Sequence, residues 1–264
     1  MTVVVKISGK PLADASAAAS LAASIGSLAD PVVLVHGGGP QLDALFERLG
    51  EPVRRLAGIR LTTDAQMPLV AGVLAGDVNQ SLVSTLRAAG SPAVGLSLAS
   101  HGVVDTGVHP VAGGRVGAVA GGDGSTLRLL LGQGLLPVVA SVGSDGRGGL
   151  LNVNADDAAA GIARALGASR LIFLTDVPGV LDASGGVVRD LPVDAIDGMI
   201  VSGVIAGGMA AKVRAIGELA MGFDGVSSCD VLIAGWADIE PAAHGDAGVG
   251  TRVRWDAAWE EQAG

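Results

Sequence analysis

The chain alternates short, continuous apolar runs with longer segments in which apolar residues recur at helical spacing. The apolar runs predict buried strands at 3–5, 32–35, 93–98, 137–141, 171–174 and 228–233. The periodic segments predict helices near 14–29, 40–49, 64–89, 125–133, 154–166, 192–202 and 209–221. Continuous apolar strands separated by helices are typical of an α/β fold, a three-layer αβα sandwich around a central, mostly parallel sheet.

The segment 100–122 interrupts this alternation, because it is rich in glycine and β-prone, and we expect it to form a hairpin. A soft boundary near 165–175 predicts an N-terminal lobe at 1–170 and a C-terminal lobe at 171–264 that share the sheet. In parallel sheets, ligands bind beyond the carboxyl ends of the strands. The residues that directly follow each predicted strand are therefore the first candidates for a functional site.

Composition and charge narrow the possible functions. A net charge of −9 argues against a broad nucleic-acid surface, so a small anion must be held by a few placed cations and backbone N–H groups. The single cysteine, Cys229, excludes a disulfide framework and a cysteine-based zinc site. No apolar run reaches the ~18 residues of a membrane span, and the start does not resemble a signal peptide. We expect a cytoplasmic protein without nucleic-acid or membrane partners.

Two predicted strands end in small residues that expose the backbone. Lys6 is followed by Ser8 and Gly9, which together could cradle an anion, although a solvated lysine before a turn is the simpler reading. The second strand ends in HGGGP at 36–40. Three glycines are entropically costly, and a helix that starts at Pro40 would present N–H groups to a carboxylate or phosphate. A tight helix–strand contact is the structural alternative, and neither a Walker A loop nor a G-x-G-x-x-G fingerprint is present.

Polar residues also mark two later strand ends. Arg60 ends a short predicted strand, and its planar guanidinium suits a carboxylate, although a surface arginine is equally compatible with the sequence. Before the helix at 154–166, Asn154 is a good N-cap, and Asp157 in the first turn suits the helix dipole. That account leaves Asn152 unexplained, and it does not explain why Asp156 adds a second carboxylate to the same turn.

A lysine opens another predicted helix. In GGMAAK at 207–212, Lys212 lies in the first turn, where the helix dipole disfavours a cation unless an anion binds there. The segment TDVPGV at 175–180 follows a buried strand and, taken alone, is typical of a capped turn.

Taken together and in order, these motifs resemble the amino acid kinase family, and within it the acetylglutamate kinases. The resemblance covers essentially the whole chain. It is carried by Lys6 with Gly9, HGGGP at 36–40, GIRLT at 58–62, GDVNQ-x-LV at 76–83, AVGLS at 93–97, NVNAD at 152–156, LTDVPGV at 174–180, GGMAAK at 207–212 and GTR at 250–252. It implies an αβα sandwich that binds N-acetyl-L-glutamate in the N-terminal lobe and ATP in the C-terminal lobe. The reaction it implies is phosphorylation of the substrate's side-chain carboxylate.

The resemblance also implies roles for individual residues. The catalytic set would be Lys6, Lys212, Asp156 and Gly9, with the two lysines neutralising the transferred phosphoryl group and Asp156 holding both. The acetylglutamate site would comprise Gly38, Gly39, Arg60 and Asn152. The nucleotide site would comprise Ser8, Asp176, Val177, Gly179, Val180, Leu181, Val204, Gly207, Gly208 and Met209. Mg²⁺ would be carried by the nucleotide phosphates, and no metal site on the protein is expected.

Two features depart from the family pattern. Ser8-Gly9 replaces the usual pair of glycines and is similar to the uridylate kinases of the same superfamily. The chain begins directly at the first strand, which resembles the short, homodimeric, arginine-insensitive type. The alternatives are a sister kinase, acting on an aminoadipate-type substrate or on uridylate, and a non-catalytic amino-acid sensor.

Overall fold

The computed structural model describes residues 1–8, 10–56, 58–205, 213–214, 216–217 and 229–254. The strands are β1 (Val3–Ile7), β2 (Val32–His36), β3 (Arg54–Leu56), β4 (Ile59–Leu61), β5 (Ala93–Ser97), β6 (Asp105–Val108), β7 (Val116–Gly121), β8 (Leu136–Ala140), β9 (Val142–Ser144), β10 (Leu150–Val153), β11 (Arg170–Thr175), β12 (Asp190–Pro192), β13 (Asp230–Gly235) and β14 (Thr251–Arg254). The helices are α1 (Ala15–Gly26), α2 (Gly39–Leu49), α3 (Met67–Ala71), α4 (Asn79–Ala88), α5 (Ser125–Gly132), α6 (Ala155–Leu166), α7 (Ile196–Val201) and α8 (Ile239–His244).

The central sheet has eight strands in the order β12-β14-β13-β11-β1-β2-β8-β5. Neighbouring strands are parallel except for β13 and β14, which are antiparallel. The six strands predicted from apolar runs are the six that lie side by side from β13 to β5. The predicted α/β class with a mostly parallel sheet is confirmed.

Helices cover both faces of this sheet because side chains alternate along each strand. On one face Val4, Val33 and Phe173 pack in a cluster with residues of α5, α6 and α7. On the other face Val5 and Leu34 pack with residues of α1, α4 and α8. Both faces of the strands are buried, which explains why their sequences are continuous apolar runs. The layers are helix, sheet, helix.

Smaller sheets lie outside the central one. Strands β6 and β7 pair antiparallel, as predicted for 100–122, and they join β10 and β9 in a four-stranded sheet. Strands β3 and β4 form a separate hairpin. The pattern did not predict β9, β10, β12 or β14, and it indicated β4 only as a short strand before Arg60. These strands have three or four residues each, too few for an alternation to stand out.

The helix predicted at 64–89 begins at Met67 and changes type along its length. A π-helical segment, Gly72–Val78, joins α3 to α4, so that Met67–Ala88 is helical throughout. By length and mean hydropathy (1.2) this stretch could also cross a membrane, a property that core helices of globular proteins share. Its buried residues, among them Val70 and Leu82, belong to two core clusters of this domain.

The remaining predicted boundaries are only partly comparable with the structure. The predicted helix at 192–202 is a short 3-10 turn, Val193–Ala195, followed by α7. Most of the predicted helix at 209–221 lies outside the described residues. The predicted lobe boundary at 170 falls at the start of β11, which pairs directly with β1 on one side and β13 on the other. The sheet is continuous across that position, and the division into two lobes stays a prediction.

Candidate active site

A cavity of about 310 Å³ lies at the carboxyl ends of β1 and β2 and is closed on one side by the β3–β4 hairpin. Its lining combines residues far apart in sequence: Lys6, Ser8, Gly37, Gly38, Gly39, Arg55, Arg60, Ser141, Asn152, Asn154 and Asp156 are among them. The structure therefore brings together the predicted site residues of β1, β4 and β10 and of the glycine loop after β2. Lys6 and the glycine loop meet at the carboxyl edge of the parallel sheet, whereas Arg60 comes from the β3–β4 hairpin and Asn152 from the four-stranded sheet.

An ion pair joins β1 to the start of α6. Lys6 points to the same face of the sheet as Val4, and that face is covered by α6. Asp156 lies in the first turn of α6, where its own N–H donates to the N-cap side chain of Asn154 at 2.8 Å. The Lys6 Nζ is 2.8 Å from the Asp156 Oδ1, and the two side chains are 9% and 17% exposed. The alternative of a solvated lysine is wrong, because Lys6 is buried and its charge is paired inside the cavity.

The histidine before the glycine loop is buried and neutral. The side-chain nitrogen Nδ2 of Asn79 donates to the carbonyl of Val138 at 3.0 Å and lies 2.9 Å from Nε2 of His36. Because Asn79 Nδ2 is a donor, Nε2 of His36 accepts, and the proton lies on Nδ1, which is 2.8 Å from the carbonyl of Gly37. Burial lowers the pKa of His36 below 6.5, and the hydrogen bond to Gly37 opposes this only in part.

The three glycines of the loop have different surroundings. A Cβ at Gly38 would lie 2.7 Å from Cδ2 of Leu74 and 3.2 Å from Cγ2 of Val78, so this glycine permits close packing against the π-helical segment. A Cβ at Gly37 would be 3.3 Å from Cβ of Ala155. A Cβ at Gly39 would meet nothing within 4 Å. The packing alternative therefore explains Gly38 but not Gly39.

The guanidinium of Arg60 is buried, with 7% of the residue exposed, so it is not a surface arginine. Its Nη2 donates to Oδ1 of Asp43 at 2.5 Å and to the carbonyl of Gly39 at 3.3 Å, and its carbon lies 5.3 Å from the ring centre of Phe46. Nη1 is buried and has no hydrogen-bond partner. A buried donor without a partner costs roughly 1–3 kcal/mol, which a bound acceptor would offset. Asp43 also accepts from Arg55 at 2.8 Å.

Asn152 is tied to the strand that carries Arg60. Its Nδ2 donates to Oγ1 of Thr62 at 2.9 Å, and Oγ1 in turn donates to the carbonyl of Arg60 at 3.3 Å. Asn152 is only 9% exposed and lines the cavity. Sequence reasoning missed Asp43 and Thr62, although Thr62 lies within the GIRLT motif.

The segment after β11 is fixed by the GTR motif. The N–H of Val180 donates to Oγ1 of Thr251 at 2.8 Å, and that hydroxyl donates to the carbonyl of Val188 at 2.6 Å. A Cβ at Gly179 would lie 2.8 Å from the same Oγ1. Position 179 therefore has a packing reason to be glycine.

Other predicted nucleotide residues lie at the end of β1 and in the segment after β11. The hydroxyl of Ser8 donates to the carbonyl of Leu174 at 2.7 Å, which ties the ends of β1 and β11 together. Asp176 and Val177 follow β11 directly, Leu181 pairs with Val187 in an isolated bridge, and Val204 is 37% exposed. Five predicted site residues lie outside the described residues: Gly9, Gly207, Gly208, Met209 and Lys212.

Comparison with known proteins assigns this arrangement to a family. The sequence model of the amino acid kinase family matches residues 1–234. The chain belongs to the amino acid kinase family. Within the family it is similar to the acetylglutamate kinase of Aeromonas hydrophila, with 42% identity over 219 residues, 81% of this chain and 84% of the relative. It is also similar to the acetylglutamate kinase of Chloroflexus aggregans, with 43% identity over 215 residues, 80% of this chain and 84% of the relative.

A solved structure shows the same fold. The N-acetylglutamate synthase of Neisseria gonorrhoeae, solved with coenzyme A and N-acetyl-glutamate, superposes with a TM-score of 0.80 at 24% identity. The match covers 97% of this chain and 60% of the synthase chain. The resemblance drawn from the ordered motifs is thereby confirmed at the level of the family and its fold, and the sequence identities confirm the likeness to acetylglutamate kinases.

Proposed function

We propose that this protein is an acetylglutamate kinase, which transfers the γ-phosphoryl group of ATP to the side-chain carboxylate of N-acetyl-L-glutamate in arginine biosynthesis. One observation carries the proposal. The unpaired, buried Nη1 of Arg60 and the Lys6–Asp156 ion pair line the same cavity, around the same glycine loop. Arg60 is available to bind a substrate carboxylate that takes no part in the reaction. Lys6 is available to the phosphoryl group that is transferred.

The proposed role of Arg60 is to bind the α-carboxylate of the substrate. Asp43 and the ring of Phe46 already hold the guanidinium, so little side-chain entropy is lost when Nη1 finds its acceptor. Asn152, fixed through Thr62, would contact the N-acetyl or amino portion. Both contacts orient the far end of the substrate, which leaves its side-chain carboxylate directed at the glycine loop.

The chemical step needs no general base. A side-chain carboxylate with a pKa of about 4.3 is ionised at neutral pH. One of its oxygens attacks the γ-phosphorus, and an O–P bond forms while the bond from that phosphorus to the β–γ bridging oxygen breaks. The electron pair of the broken bond leaves with ADP, and no proton is transferred. The products are an acyl phosphate, N-acetyl-L-glutamyl 5-phosphate, and ADP.

Catalysis then rests on charge neutralisation and positioning. Lys6 and Lys212 would neutralise the phosphoryl oxygens, and Asp156 would hold their ammonium groups. The N–H groups of Gly9, Gly38 and Gly39 would donate to phosphate oxygens and to the attacking carboxylate. The buried contact between Lys6 and Asp156 supports the part of this assignment that lies within the described residues.

The nucleotide would bind beyond β11 and the segment that leads to Lys212. The proposed contacts are those predicted from the sequence: Ser8, Asp176, Val177, Gly179, Val180, Leu181, Val204, Gly207, Gly208 and Met209. Bound Mg²⁺ would neutralise charge on the nucleotide phosphates. Its assignment to the nucleotide follows from the family resemblance.

Assembly and location complete the proposal. We propose a cytoplasmic homodimer. The exposed large apolar residues of the described structure are distributed along the chain from Met1 to Val204.

The test is an acceptor panel with Mg-ATP in the presence of hydroxylamine, which converts an acyl phosphate to a hydroxamate. The panel contains N-acetylglutamate, glutamate, aspartate, aminoadipate and UMP. We expect hydroxamate and ADP with N-acetylglutamate and little of either with the other acids. ADP release with UMP alone would assign the enzyme to the uridylate kinases. A folded protein that binds ATP and turns over no acceptor would favour the amino-acid sensor.

A further inference from the structure

One motif has no role in the proposed mechanism: GDVNQ at 76–80, which ends the π-helical segment and begins α4. Asn79 is only 1% exposed. Its Nδ2 lies 2.9 Å from Nε2 of His36, 3.0 Å from the carbonyl of Val138 and 3.4 Å from the carbonyl of Leu96. One amide group therefore connects three neighbouring strands, β2, β8 and β5.

This contact reaches the glycine loop through the imidazole of His36. The ring accepts from Asn79 at Nε2, which leaves the proton on Nδ1, and Nδ1 donates to the carbonyl of Gly37 at 2.8 Å. The carbonyl of Gly37 and the N–H of Gly38 belong to one planar peptide unit, and the described chain has no cis peptide bond. In a trans peptide the C=O and N–H point in opposite directions. Fixing the carbonyl therefore fixes the direction of the Gly38 N–H.

The surrounding sequence makes room for this contact. A Cβ at Gly95, in the AVGLS motif, would lie 2.3 Å from Oδ1 of Asn79, so only glycine fits there without a shift. The π-helical segment Gly72–Val78 directly precedes Asn79, and a π turn holds one more residue than an α turn. Each helical residue turns the chain by about 100°, so this insertion sets which way Asn79 faces. Leu74 and Val78 of the same segment fill the space beside Gly38.

We infer that Asn79 and His36 are positioning residues for phosphoryl transfer, which hold the Gly38 N–H in the direction that the reacting oxygens require. The inference rests on the proposed function. Neither side chain lines the cavity, so neither is a catalytic residue. A merely structural polar pair is the competing explanation. It predicts a loss of stability with kcat preserved in the remaining folded enzyme, whereas positioning predicts a loss of kcat.

The variant Asn79→Leu removes the amide donors and keeps a similar volume. We expect kcat to fall about 10- to 100-fold, the scale for a misdirected backbone donor, with the KM for ATP nearly unchanged. The matched control is Leu86→Ala, which is fully buried on the same helix and has no role in the site. It should lower the melting temperature and leave kcat as in the wild type. Assays are run where every variant remains folded by circular dichroism.

Two substitutions of His36 separate its contacts. His36→Asn keeps a donor near the position of Nδ1, for the Gly37 carbonyl, and loses the reach to Asn79. His36→Gln keeps an acceptor near the position of Nε2 and loses the contact with Gly37. If the direction of the Gly37–Gly38 peptide determines kcat, His36→Asn retains more of the wild-type kcat than His36→Gln. The reverse order, or equal losses, would contradict the inference.

A readout that does not depend on turnover is the ¹H–¹⁵N resonance of the Gly38 amide. We expect Asn79→Leu to shift or broaden it and Leu86→Ala to leave it in place, and ¹⁵N shifts of His36 to show a proton on Nδ1. An unchanged Gly38 resonance in Asn79→Leu, or a wild-type kcat in that variant, would overturn the inference. Absence of turnover in the wild type would instead overturn the proposed function, and the Gly38 resonance would still decide whether Asn79 fixes the loop.

Discussion

Replacing Asp156 by Asn would leave the Lys6 ammonium in the cavity without its negative partner. The nearest charged atoms are 2.8 Å apart, and the side chains are 9% and 17% exposed. Removing one member of a largely buried pair leaves an uncompensated charge, which typically costs about 3–5 kcal/mol of folding free energy. We expect Asp156→Asn to approach the lower end of this range, because water still reaches part of the carboxylate.

The distance between Nζ of Lys6 and Oδ1 of Asp156 sets limits on their electrostatic attraction. Two unit charges 2.8 Å apart attract by about 6 kcal/mol at an effective dielectric constant of about 20, and by about 1.5 kcal/mol in bulk water. The exposed fractions place the attraction between these limits, and the cost of removing both charges from water offsets part of it. A coupling free energy of roughly 2–4 kcal/mol between Lys6 and Asp156 follows.

The assay is a double-mutant cycle of urea unfolding on the wild type, Lys6→Met, Asp156→Asn and the double variant. The double variant should be less destabilised than the sum of the single variants, because it leaves no unpaired charge. An internal control is the pair between Arg254 and Asp190, which is 3.0 Å apart with side chains 47% and 53% exposed. The same cycle there, with Arg254→Met and Asp190→Asn, should give a coupling within about 1 kcal/mol.

Equal coupling energies in the two cycles would refute the reasoning, since they would mean that Lys6 and Asp156 do not interact in a dry, preorganised contact. Kinetics add a second criterion. Each single variant should lose at least ~100-fold in kcat, and the losses should not multiply in the double variant, because residues that act as one unit give non-additive effects.

Three further predictions follow from the site. Arg60→Lys keeps the charge but loses the planar fork, so the KM for N-acetylglutamate should rise about 10- to 100-fold in initial-rate assays, with the KM for ATP unchanged. In Gly38→Ala the new Cβ would lie 2.7 Å from Cδ2 of Leu74. The free energy of unfolding, measured in urea, should therefore fall by about 1–3 kcal/mol. In Gly39→Ala it should change by less than about 1 kcal/mol. Burial lowers the pKa of His36 in the folded state below the ordinary value of about 6.5. Between about pH 6.5 and that lower pKa, the unfolded chain binds up to one proton more than the folded chain. The free energy of unfolding should therefore fall as the pH drops through this range, by at most about 1.4 kcal/mol per pH unit, and His36→Asn should lack this slope.

Six of the eight strands of the central sheet could be predicted because most of their residues are buried. Every residue of β2 is buried, and its first four residues are all apolar. Strand β3 is the opposite case, since all three of its residues are exposed and only its pairing with β4 defines it. Strand β14 alternates buried and exposed residues over four positions, too short a stretch for the period to be recognised. Pairing between distant segments, which a local pattern does not record, decides these shorter strands.

The candidate site was predictable where a polar residue directly follows a strand. Lys6 follows the strand predicted at 3–5, and Arg60 ends a short predicted strand. Asn152 lies in β10, which the pattern did not predict, and only the family resemblance indicated a role for it. Asp43 and Thr62 do not stand out in the same way. Asp43 lies inside α2 with a side chain 45% exposed, which in sequence is typical of an ordinary solvated carboxylate. Its importance arises only because the β3–β4 hairpin brings Arg55 and Arg60 to it.

Asn79 shows why part of the site escapes sequence reasoning. An asparagine in a helical pattern is mildly unfavourable and is normally explained by solvent exposure or a cap. Here the same residue is buried, and its partners are a histidine 43 positions away and a carbonyl 59 positions away. The buried contacts of Asn79 depend on the π turn, which rotates the side chain inward, and on Gly95, which leaves space for it. In its own segment each of these features looks ordinary. Only in the folded structure do they act together, to fix the direction of the peptide group between Gly37 and Gly38.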